Sequence, residues 1–129
     1  MQIYAQNKTV TKDDLDQLNH VNNVVYVQWV QDIAEAHWQQ KASAKILSDY
    51  FWVLLNHHIA YKSPAFLNDN ITINTYITKS EGVTSTRIVE IYHKYSKKLI
   101  VKSETNWCLI SVETNKPTRI TEAITDLFQ

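Results

Sequence analysis

The chain has 129 residues, enough to bury a hydrophobic core without disulfides or a structural metal, and it reads as a single domain over residues 1–129. Its 13 basic and 13 acidic side chains cancel, so it offers no electrostatic footprint for nucleic acid or an anionic membrane surface. The lone Cys108 excludes an internal disulfide and a cysteine-based zinc site, which points to a reducing cytoplasm and to a small molecule or another protein as partner.

Ile3 to Val10 alternates polar and apolar residues and predicts a short strand. The segment from Met1 to Val10 lacks the charged head and long apolar centre of a secretion signal. Thr11 to Asp14 breaks the alternation, and a turn follows. From about Asn22 to Lys41 the period becomes helical, with Tyr26, Val30, Ile33 and His37 on one stripe and Val25, Trp29 and Ala36 beside it. The opening turns of this helix are apolar nearly all round, which predicts burial on several sides. Ala44 to Tyr50 predicts a second, short helix. No apolar run approaches the roughly 20 residues needed to span a bilayer.

Beyond Phe51 the period is two, and strands are expected over Trp52–Lys62, Ile71–Thr78, Thr84–Tyr95 and Leu99–Val112. Ile71, Ile73, Thr75 and Ile77 fall on one face of the second of these. A turn is expected over Lys79–Gly82, a tight hairpin at Ser96–Lys97, and a short terminal helix or tail over Ile120–Phe128. One antiparallel sheet and one apolar helix bury each other best when the sheet curls around the helix. That arrangement leaves unpaired strand edges, so association into a homodimer or a dimer of dimers is expected.

Chemistry concentrates before the long helix. Asp16 sits in the turn leading into it, where an aspartate suits a turn or a cap. The same position also suits attack on a carbonyl whose oxygen is held by main-chain amides at the helix mouth. No Ser-His-Asp triad is evident, so this carboxylate is the group the sequence offers for attack on a carbonyl or for activating water. The amides of Asn19, His20 and Val21 are the expected oxyanion donors. Asn22 and Asn23 suit caps, with the Asn23 amide a further candidate for the reaction.

The pattern Asp14-x-Asp16, then His20-Val21-Asn22-Asn23, then Tyr26-x-x-Trp29 resembles the hotdog-fold thioesterases, both the hydroxybenzoyl-CoA type and the plant acyl-carrier-protein type. The resemblance implies an α+β hotdog fold, a five-stranded antiparallel sheet wrapped around one long central helix. It implies hydrolysis of acyl-CoA or of an acyl-carrier-protein thioester, with Asp16 as nucleophile or base and His20 orienting substrate or shuttling a proton. No metal or redox cofactor is expected. Many family members carry glycine where this chain has Asn19, a residue that tolerates left-handed backbone.

The second-strand glutamate, serine or threonine of some relatives is replaced here by His57-His58 and, further on, Ser63-Pro64. His57, His58 and Ser63, together with Tyr26 on the helix, are the candidate substrate contacts, although each also suits ordinary packing. His57 is expected on the face of Val53, Leu55, Ile59 and Tyr61. Asp32 matches an acid of the plant group, although a place at the helix surface or a subunit interface suits it slightly better. Asp69 reads as a turn-former, and Lys94, Lys97 and Lys98 as a solvated hairpin within reach of a coenzyme A phosphate. A non-catalytic module that binds acyl thioesters is the rival reading. A hotdog dehydratase is disfavoured, because the proline- and glycine-rich helix entrance of that group is absent.

Overall fold

Two periods of apolar recurrence, two and 3.6, sort the chain into strands and one long helix. The computed structural model describes residues 2–129, leaving Met1 outside, and places β1 at Tyr4–Thr9, α1 at Asn23–Lys41 and α2 at Ala44–Asp49. Then follow β2 (Tyr50–Tyr61), β3 (Asn70–Glu81), β4 (Thr84–His93), β5 (Leu99–Ser111) and the short α3 (Glu122–Asp126). The five strands form one antiparallel sheet in the order β1-β3-β4-β5-β2. β1 and β2 are therefore its edges.

Helix α1 begins where Asn22, in extended backbone, caps it by accepting the Val24 N–H at 3.0 Å on its side-chain oxygen. Tyr26, Trp29, Val30 and Ile33 then pack on Ile71, Ile73, Val89, Ile91 and Val101 from the sheet. Each such fully buried side chain contributes on the order of 2 kcal/mol. A second cluster, with Trp38, Leu109, Ile124 and Phe128, closes the far end and draws in α3.

Three expectations are corrected. The sheet covers one face of α1 only: Val24 is 73% exposed, and Asn23, Gln28, Gln31, Asp32 and Glu35 point outward. Asp32 lies on that open face and accepts from Gln28 Nε2 at 2.8 Å, so its carboxylate carries no burial cost. Second, β3 runs through Glu81, and the reversal falls at Gly82, whose φ of 62° needs no Cβ. Third, a bulge between Leu54 and Asn56 changes the face of β2. Trp52 and Leu54 turn inward before it and His57 and Ile59 after it, while Val53 and Leu55 stay outside, away from His57.

Candidate active site

The segment from Leu15 to Val21 doubles back on itself. Leu15 and Val21 form an isolated bridge, Asp16 N donates to His20 O at 2.7 Å, and Asn19 N donates to Asp16 O at 3.1 Å. Closing so tight a loop puts Asn19 at φ 63°, the left-handed conformation that glycine or asparagine adopts at least cost. A second bridge joins His20 to Phe66 in the loop after β2, and their rings meet edge to face at 5.1 Å. The loop is thereby held against the start of α1.

Asp16 is half-buried and uses one carboxylate oxygen as the loop's internal clamp. Its Oδ1 accepts the main-chain N–H groups of Leu18 at 2.8 Å and His20 at 3.1 Å. Its Oδ2 accepts from no group among the described residues. Asp16 and Asn22 share the lining of a shallow, open hollow with Leu15, Gln17 and Leu18. Asp14 is engaged elsewhere, since its carboxylate accepts the Thr11 N–H at 2.8 Å.

The amides expected to face an oxyanion are all committed to the fold. Asn19 N–H goes to Asp16 O, His20 N–H to Asp16 Oδ1, and Val21 N–H to Ala65 O at 2.9 Å. In the first turn of α1, Val24 is capped by Asn22 Oδ1 and Val25 bonds to Asn22 O. Asn23 N–H is left without an acceptor among the described residues, as the first turn of a helix dictates. The Asn23 side chain is exposed and bonds to no group among the described residues.

Tyr26 is 3% exposed, yet its hydroxyl finds no hydrogen-bond partner among the described residues. Burial pushes the phenol up to about 12, an effect that the Ala65 main chain offsets in part and the carboxylates of Asp69 and Asp16 reinforce. Its ring lies 5.6 Å from Trp29 and 6.0 Å from the exposed Tyr61. Tyr26 thus belongs to the core while its polar tip faces the two aspartates' field. Asp69 closes its own turn by accepting the Phe66 N–H at 2.8 Å.

The remaining candidates do not converge on Asp16. His57 bonds to the buried Ser103 hydroxyl at 2.8 Å, and burial, with His58 beside it, holds its imidazole below the usual range. His58 is exposed on the opposite face. The Ser63 hydroxyl donates to Leu99 O at 2.7 Å and pins the strand end. Lys97 and Lys98 are solvated, and Lys94 lies over the Tyr95 ring at 5.5 Å. Among the described residues no group of histidine, cysteine and acidic side chains is arranged to hold a metal ion, and no helix is long and apolar enough to cross a membrane.

Residues 10–128 match the family model of the thioesterase-like superfamily. The chain belongs to that superfamily. Its coordinates resemble a 1,4-dihydroxy-2-naphthoyl-CoA thioesterase from Synechocystis, with a TM-score of 0.82 at 21% identity over 98% of each chain. They resemble a Staphylococcus aureus protein solved in complex with CoA, with a TM-score of 0.86 at 20% identity, over 98% of this chain and 81% of that one. The 12:0-ACP thioesterase of Umbellularia californica matches with a TM-score of 0.83 at 11% identity, over 98% of this chain and 51% of the plant one. No curated protein matches in sequence. At these identities the structural likeness shows the fold, which is the α+β hotdog of the thioesterase-like superfamily.

Proposed function

We propose that the protein is an acyl-CoA thioesterase in which Asp16 is the catalytic carboxylate. The observation that carries this reading is the division of labour within one side chain. Oδ1 is locked by two main-chain N–H groups, while Oδ2 has no partner among the described residues, and Asp16 lines a hollow beside the mouth of α1. A clamped carboxylate with one free oxygen is held ready to attack a thioester carbon or to take a proton from the attacking water. As base, it leaves water to form the new C–O bond. As nucleophile, it forms a mixed anhydride that water then opens. Both routes expel a thiolate and yield the free acid.

The oxyanion donor in this reading moves from the loop to the helix. Asn23 N–H is unspent, sits at the positive end of α1, and follows Asn22, which lines the hollow. One such donor is worth about 10²- to 10³-fold in rate. His20, packed on Phe66, orients the loop. The CoA complex of the Staphylococcus aureus neighbour supports CoA as the thiol carrier, and the plant neighbour supports acyl carrier protein as the second carrier to test. A second copy of the chain is the proposed partner, docked on the β2 edge, and the cytoplasm the proposed compartment.

Thiol release measured over a chain-length panel of acyl-CoA and acyl-carrier-protein substrates tests the reading. Asp16→Asn is expected to lower the rate by at least about 10²-fold with the fold intact. Equal rates for the variant and the native chain would remove Asp16 from the chemistry. Binding of acyl-CoA without thiol release by the native chain would make the protein a carrier or sensor of acyl thioesters instead.

A further inference from the structure

A second hollow lies far from Asp16. It has a volume of about 400 Å³ and lies between the C-terminal half of α1 and the concave face of the sheet. Gln31, its nearest helix residue to the entrance, is nine residues beyond Asn22, about 13 Å along the axis, and Trp38 is about 24 Å along. Three of the four tryptophans, Trp38, Trp52 and Trp107, line it with Phe128. Ser85 and Arg87, both buried, form its inner polar part, and the exposed Gln31, Glu35 and Gln39 of α1 form its outer one.

Arg87 is the unexplained residue. It occupies an inward position of β4, in line with Val89 and Ile91, and is 5% exposed. Its Nη1 donates to His37 Nδ1 and to Thr75 Oγ1, each at 2.9 Å. Because His37 Nδ1 accepts, the ring proton sits on Nε2 and is donated to Gln2 Oε1 at 2.7 Å. Burial, reinforced by the guanidinium, holds His37 down at about 4, whereas burial lowers Arg87 only to about 10. At neutral pH a cation therefore rests among neutral partners. Among the described residues no carboxylate lies within ion-pairing distance of it. Glu35, at the exposed rim, makes no bond to it. Nε and Nη2 donate to no protein acceptor among the described residues, and the Phe128 ring lies 5.6 Å from the guanidinium carbon.

A buried charge without a counter-ion is costly, and the free side of a guanidinium matches two carboxylate oxygens. We propose that this pocket is a second ligand site, separate from the Asp16 hollow, that takes a monocarboxylate on an aromatic or short aliphatic body, bound bidentately by Arg87 against the tryptophan walls. One buried positive charge balances one carboxylate. A phosphate brings closer to two negative charges at neutral pH, and no second cation is present in the pocket to balance them. The volume suits an acid of this class. The inference does not rest on hydrolysis at Asp16.

The tryptophan lining supplies the readout. Intrinsic fluorescence of the full chain is titrated with octanoate and benzoate, and with octan-1-ol and benzyl alcohol as neutral counterparts. Saturable quenching by the acids is expected, with the alcohols at least about tenfold weaker. Arg87→Gln, checked for folding by circular dichroism, is expected to erase that difference. Ala34→Leu, which narrows the pocket and leaves Arg87 in place, is expected to weaken acid and alcohol alike. Asp16→Asn is expected to bind the acids as the native chain does. Equal binding of acid and alcohol, absence of saturation, or loss of acid binding in Asp16→Asn each overturns the proposal.

Discussion

Asn19 shows how one dihedral angle sets the site. At φ 63° it closes the loop that turns the Asp16 carboxylate onto the Leu18 and His20 amides. Asn19→Gly is expected to leave stability within about 0.5 kcal/mol, whereas Asn19→Val forces a β-branched side chain into left-handed backbone and costs about 1 kcal/mol or more. Urea unfolding of the two variants reads the difference. His37 sets a pH dependence. The unfolded chain binds its proton near 6.5, but the folded chain holds this fully buried ring neutral down to about 4. Its contribution is therefore complete above pH 6.5 and is lost as the pH falls through 4, on the order of 3 kcal/mol. His57, shifted in the same direction, adds to that slope. His37→Gln keeps an acceptor for Arg87 and is expected to flatten the fall in stability between those pH values, measured as the urea midpoint against pH.

At the scale of elements, the entrance of α1 rests on Asn22. Its side chain holds the Val24 N–H, its carbonyl accepts from Val25, and the intervening Asn23 N–H remains free. Asn22→Ala is expected to cost about 1 kcal/mol in thermal or urea unfolding and to lower thiol release as well, since a frayed first turn misplaces that amide. The bulge in β2 has a comparable local effect. It moves His57 inward to Ser103 and leaves Val53 and Leu55 outside, 43% and 53% exposed. Nothing in the alternation of Trp52 to Tyr61 marks the extra residue, because a bulge is set by the partner strand's register rather than by the residues it displaces.

For the whole molecule, the open edge is the dominant feature. β2 is twelve residues long, pairs among the described residues with β5 alone, and shows Phe51, Val53 and Leu55 on its outer side. Such an edge invites pairing with a second copy of itself. Sedimentation is expected to show an oligomer, and Val53→Lys, which sets a charge on each copy of that edge, is expected to shift it toward monomer with the circular dichroism spectrum unchanged. A native chain that sediments as a monomer would sink this expectation.

The order of elements, the long helix and the superfamily were legible along the chain, since each rests on local periodicity or on the contiguous run from Asp14 to Trp29. The reading of Asn19 as a left-handed residue was legible for the same reason. The fate of the Asn19, His20 and Val21 amides was not, because their acceptors include Ala65, more than forty residues away. Arg87 left a trace, a charged residue at an inward position between Ser85 and Val89, but its neighbours His37, Thr75 and Phe128 come from three other segments. Sequence by itself determined what each segment becomes, because helix and strand preferences act over a few residues. Only the tertiary structure decided which amides remain free, which face of α1 stays open and where a buried cation meets a pocket, because those depend on partners that the folded sheet brings together.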